Sequence, residues 1–181
     1  MFIAEKLRKQ NIAEYLLYMW QVEDIIRANG CDMETLRKNY LSKFTLPDVS
    51  RKEEFEQWYE NQVRMMHEEG VEKKGHLQIN KGIISLLTDL HLQLLSSGKY
   101  PFYHAAYFKI LPFIVEVRAK GDDKNAPEIE NCFDILYGIM ALRLKHQEIS
   151  KDTELAVADI TKFLRMLSDF YMKDKAGELD L

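Results

Sequence analysis

The sequence predicts an all-α protein: a single-domain bundle of six or seven helices, mostly antiparallel. Three observations carry this. Apolar residues recur at intervals of three and four along most of the 181 residues, the period of a helix with one buried side. Helix punctuation falls between those stretches, at Asn29-Gly30, Gly98, Pro101 and Pro127. The third is the stretch Tyr100–Val117, which as a helix is apolar on every face, with only His104, Lys109 and Glu116 able to carry charge. A helix without a polar side is wrapped by other helices in a soluble bundle. It is therefore expected to be a central apolar helix around residues 101–118.

A first helix is expected from about Ile3 to Ala28. Ile12, Tyr15, Leu16, Met19, Val22 and Ile26 form one stripe, Leu17 lies on the polar side and Trp20 beside it. Asn29-Gly30 accepts the left-handed turn that stops such a helix. Asp32 caps a short helix carrying Met33, Leu36 and Tyr40. Ser50 and Glu53 have the spacing of a capping box ahead of Phe55, Trp58, Tyr59, Val63 and Met66. Gly70 and Gly75 bracket charged residues, so 67–76 is either a loop or a weak joint between helices. Leu77–Leu95 resumes the apolar pattern and Gly98 ends it. Pro101 suits a first turn, where its missing N–H is not needed, and Pro112 is expected to kink or shorten the apolar helix. A polar loop follows at Gly121–Asn125. Pro127 opens a helix and Ser150 caps the last one; the tail from about 174 reads as frayed. No repeat or linker composition divides the chain, so 1–181 reads as one domain.

Composition narrows the function classes. Apolar residues make up 46% and charged residues 30%, the balance of a soluble globular protein. A formal charge of −4 argues against nucleic-acid binding, which needs dense Lys and Arg and a basic recognition helix. No apolar run reaches the ~20 residues of a membrane span, and Met1–Lys9 is too short and too charged for a secretory leader. Cys31 and Cys132 stand far apart without a CxxC partner, which reads as reduced thiols in a cytoplasmic protein.

The motifs give no catalytic residue, no metal site and no cofactor. A carboxylate-bridged metal site in a bundle needs Glu-x-x-His, yet none of the five histidines has an acidic residue three positions before it. His67-Glu68-Glu69 lacks the second histidine of a zinc protease. Glu72 and His76 are four apart but flank Gly75, and two ligands do not make a tetrahedral site. Gly70–Gly75 has the glycine spacing of a phosphate loop without the Lys-Ser/Thr that follows, or the strand that precedes, a real one.

His91 lies among Ile84, Leu87 and Leu95, and His104 lies within the apolar helix. Either is a candidate proton-transfer group beside a carboxylate such as Glu14 or Glu116, so Glu14, His91 and His104 are the ligand-pocket candidates. The plainer explanation is a core-edge histidine bonded to a backbone carbonyl or a tyrosine hydroxyl. Nine tyrosines and nine phenylalanines offer a pocket for a planar ligand, though they fall mostly on core stripes. Leu17, Trp20 and the all-round apolar helix are the interface candidates, because exposed apolar patches mark partners.

The string Ala13-Glu14-Tyr15-Leu16-Leu17-Tyr18-Met19-Trp20, with its flanks from Met1 to Asp24, resembles the opening of a bacterial (Bacteroides-type) family, domain of unknown function 4924. The resemblance spans nearly the whole chain. It implies a bacterial source and a helical domain, and it supplies no catalytic residues. The function expected from all this is a non-catalytic helical protein acting through protein–protein contact, with a homodimer or another protein as partner. The alternative is a small-molecule-binding protein or enzyme with its pocket among the aromatic-rich helices.

Overall fold

The computed structural model describes residues 2–120 and 125–181; the expected loop at Gly121–Lys124 lies outside them. Among the described residues eight α-helices follow one another: α1 (Phe2–Gln10), α2 (Ile12–Ala28), α3 (Met33–Asn39), α4 (Val49–Glu68), α5 (Gln78–Ser97), α6 (Pro101–Lys120), α7 (Glu128–Leu144) and α8 (Lys151–Lys175), with a 3-10 turn at Leu41–Lys43. Among the described residues there is no strand and no helix long and apolar enough to cross a membrane.

The first expected helix is two. Asn11 interrupts it, and its side-chain oxygen accepts the Ala13 N–H at 3.1 Å, so it caps α2 instead of continuing α1. The cap of α4 also differs from expectation. Asp48 accepts the Arg51 N–H at 2.8 Å, one turn-defining step ahead of Ser50. Asp32 and Ser150 do cap α3 and α8, accepting from Thr35 and Thr153. α6 runs on through Pro112 to Lys120.

Contacts gather into two compact units: residues 1–9 with 14–82, and residues 10–13 with 83–181. The division falls inside α1, α2 and α5, so no linker composition marks it. In the first unit Val22, Ile26, Leu36, Leu41, Tyr59, Val63, Met66 and Leu77 form a buried cluster. The segment between α4 and α5 is a loop. Gly70 takes φ +65, the Gly70 N–H bonds the His67 carbonyl and the Val71 N–H bonds the Met66 carbonyl. This is the glycine-terminated helix end in which the residue after the glycine packs back onto the last turn; Val71 and Met66 are both in the cluster.

In the second unit α6, α7 and α8 pack on one another. Tyr103, Tyr107, Ile110 and Ile114 of α6 are buried, and the Tyr103 and Tyr107 rings lie 5.2 Å and 6.0 Å from that of Phe163 in α8. The other side of α6 is open. Phe102 is 85% exposed, Phe108 60% and Val115 52%, which corrects the expectation of a helix covered on every face. Beyond α8 the non-helical tail touches the residues just ahead of α6: the Tyr100 hydroxyl donates to the Asp180 carbonyl at 2.6 Å and Lys99 Nζ lies 2.8 Å from the Asp180 carboxylate.

Gly70→Ala tests the loop end. Its added Cβ meets no atom within 4 Å, so only the left-handed backbone is strained, and a loss of about 1 kcal/mol in urea unfolding is expected. An unchanged midpoint would contradict that turn.

Candidate functional site

The most concentrated polar chemistry of the first unit is centred on Glu23, a residue with 0% exposure. Helical spacing explains its position, since Glu23 shares a face of α2 with Leu16, Trp20 and Ile26 and so points inward with them. A buried carboxylate must be met by donors, and three are present. The Leu77 N–H donates to Oε1 at 3.0 Å, Asn80 Nδ2 to the same oxygen at 2.7 Å, and His76 Nδ1 sits 2.6 Å from Oε2. The His76 ring is stacked on Trp20, with centroids 4.0 Å apart and planes 13° from parallel.

The same stretch of α2 fastens the rest of the loop. Arg27 donates from Nε to the Val71 carbonyl at 3.1 Å and from Nη2 to the Gly75 carbonyl. His67 bonds the Cys31 carbonyl at 2.8 Å through Nε2 and Glu72 at 3.2 Å through Nδ1. Those two bonds raise the His67 pKa; the Glu72 pKa is lowered first by the bond from its own backbone N–H and then by that with His67. Glu72 and His76, read together from their spacing, therefore take different partners. A carboxylate orienting an imidazole through Nδ1 is also how hydrolases prepare a general base. Here the carboxylate also meets one backbone amide, that of Leu77, and the Asn80 side chain. Among the described residues no group of three or more His, Cys, Asp or Glu is placed to hold a metal.

The structure scatters the residues picked from sequence. His91 is buried in the second unit, Nδ1 lying 2.7 Å from the Tyr103 hydroxyl, with the Tyr107 and Phe163 rings 4.7 Å and 5.8 Å away. His104 is half-buried on α6 and bonds the Leu94 carbonyl at 3.1 Å. These are the partners of core-edge histidines. Glu14 is exposed at the start of α2, and Glu116 is paired with Lys120. Leu17 is half-buried. Trp20 is only 2% exposed, which corrects its reading as an interface residue. Sequence reasoning passed over Glu23, although a charged residue in register with Leu16 and Ile26 was the available signal.

Two kinds of surface remain. The first unit has an aromatic cleft of about 180 Å³ lined by Tyr18, Tyr40, Phe44, Phe55 and Tyr59, and a second of about 220 Å³ lined by Arg8, Tyr15, Met19, Trp58 and Gln62. Gln62 is buried with its Oε1 unpartnered, and the Arg8 guanidinium lies 5.7 Å over the Tyr15 ring. In the second unit the open side of α6 carries Phe102, Ala105, Phe108, Pro112 and Val115, all exposed. Beside it runs a groove of about 290 Å³, closed by Asp159, Lys162 and Met166 of α8; Lys109 pairs with Asp159 across it at 2.6 Å.

These features define an all-helical protein whose buried Glu23 fastens a loop of its own backbone and whose α6 carries an exposed apolar stripe. The chain belongs to the family described as domain of unknown function DUF4924, which matches over residues 1–178. No curated protein and no solved structure matches the chain.

Removing the Glu23 carboxylate by Glu23→Ala leaves the Leu77 N–H and the Asn80 amide buried without an acceptor. A loss on the order of 3 kcal/mol in chemical unfolding is expected, against little or no change for Glu72→Ala at the exposed pair. Equal losses would rule out the buried carboxylate as the fastening point.

Burial holds His91 neutral, its pKa lowered to about 4; Glu128 opposes that shift and His104 adds to it. An unfolded histidine titrates near 6.5, so between these values the unfolded chain binds more protons. Stability therefore falls as the pH drops from about 6.5 toward 4, by at most about 3 kcal/mol from this group. His91→Leu removes that slope, read as unfolding midpoints at neutral and acidic pH; identical slopes in both proteins would contradict it.

Proposed function

We propose that this protein acts by protein–protein contact through the open side of α6, without catalysis. The observation that carries this reading is the exposure of two phenylalanines, Phe102 and Phe108, on one continuous apolar stripe. Contiguous apolar surface of a few hundred Å² marks a site of association, and aromatic anchors dominate such sites. A bacterial source follows the family resemblance, and a cytoplasmic setting follows the two free, buried cysteines, since thiols persist in reducing compartments.

A second reading, small-molecule binding, is favoured by the Gln62 cleft. A buried amide oxygen without a donor costs about 1–3 kcal/mol, and a small planar ligand with a hydrogen-bond donor would relieve it. Native mass spectrometry of freshly purified protein tests this through a retained ligand whose occupancy Gln62→Leu reduces.

For the leading reading, a photo-crosslinking amino acid placed at 102 or 108 in the living cell is expected to form protein adducts. The same group at Lys81, an exposed position on α5, is expected to form few. No excess at 102 and 108 over 81 would overturn the proposal.

A further inference from the structure

We infer that the partner on the open side of α6 is a second copy of this chain, with two α6 helices crossing antiparallel about a two-fold axis beside Phe108. This rests on the contact reading above and adds the identity of the partner.

The pattern of the stripe is the first argument. A two-fold interface is self-complementary, so the residue facing a given position must itself be faced by it. With the axis beside Phe108, antiparallel pairing sets Phe102 opposite Val115 and Ala105 opposite Pro112. The axis then passes between Phe108 and Lys109, so Phe108 lies beside its own counterpart, one position out of register. Each remaining pair joins a larger to a smaller side chain, and no charged residue of the stripe falls opposite a like charge. Lys109, at the edge of the stripe, is already satisfied by Asp159 at 2.6 Å, and Glu116 by Lys120 at 2.6 Å. The seam is apolar along its middle, with paired charges at its margins, which is the composition of an interface core and rim.

Area is the second argument. A phenylalanine presents about 150–250 Å², so the exposed parts of Phe102 and Phe108 with Val115 and Pro112 offer on the order of 400 Å² per copy. Two copies together bury on the order of 800 Å², below the roughly 1,000 Å² of a stable interface and within the range of weak, transient ones. The dimer is therefore weak and concentration-dependent. The groove beside the stripe, lined by Phe102, Ala105 and Lys109 with Met166 of α8, gives the counterpart's side chains a concave seat.

The test is sedimentation equilibrium of the full purified chain from low to high micromolar concentration, alongside Phe108→Glu and Phe108→Cys variants. These exposed substitutions leave the buried side of α6 intact, which circular dichroism and melting temperature verify. Expected are a mass rising to twice the monomer, a dissociation constant at least about tenfold weaker in Phe108→Glu, and a disulfide-linked dimer of Phe108→Cys on mild oxidation. A dimer that Phe108→Glu leaves unchanged overturns this pairing. A chain that stays monomeric while positions 102 and 108 crosslink to other proteins overturns the second copy and leaves the contact reading standing. A monomer without adducts overturns both.

Discussion

The first unit depends on how one fully buried carboxylate is satisfied. Glu23 could not remain in the interior of α2 without donors, and every donor it uses belongs to the end of the preceding loop or to the start of α5: His76, Leu77 and Asn80. The requirement runs both ways. The Leu77 amide precedes α5 and has no helical acceptor of its own, so the carboxylate completes the first turn of that helix from outside it. Arg27, one turn along α2, takes two carbonyls of the same loop. A nine-residue crossing between helices is thereby tied to α2 at both ends, and Val71 and Leu77 are delivered into the apolar cluster.

Much of the architecture was legible because it follows from period and punctuation. Asp32, Ser150 and Gly30 act where their spacing puts them, since caps answer to backbone geometry within four residues. What was hidden depends on contacts distant in sequence. Asn11 breaks a helix whose apolar stripe continues through it, and its side chain also receives the Ser168 hydroxyl at 3.0 Å, 157 positions away. Asp48 displaced Ser50 because both have the right chemistry and only the approach of the chain decides between them. The Glu23 cluster was out of reach for the same reason: its donors lie 53 to 57 residues on. The division into two units falls within helices, where composition does not change.

The apolar helix shows a different ambiguity. Hydrophobicity all round says that every side will be covered, and says nothing of what covers it. One side of α6 is covered from within its own unit, by rings that close around His91 and keep that imidazole uncharged. On the opposite side the same kind of residue meets solvent. His91 and His104 bond a tyrosine hydroxyl and a backbone carbonyl on the covered side, while the residues of the exposed stripe were visible only as members of a supposed core.

Pro112 gives that stripe a property of its own. Proline has no N–H, so the bond that position 112 would return to the Phe108 carbonyl is missing. The vacancy falls one turn behind the proline, on the side of α6 where both residues face outward. An acceptor thus opens in the middle of an otherwise greasy track. Whatever settles there gains by donating to that oxygen or by carrying a water molecule to it, since a covered carbonyl without a donor is costly.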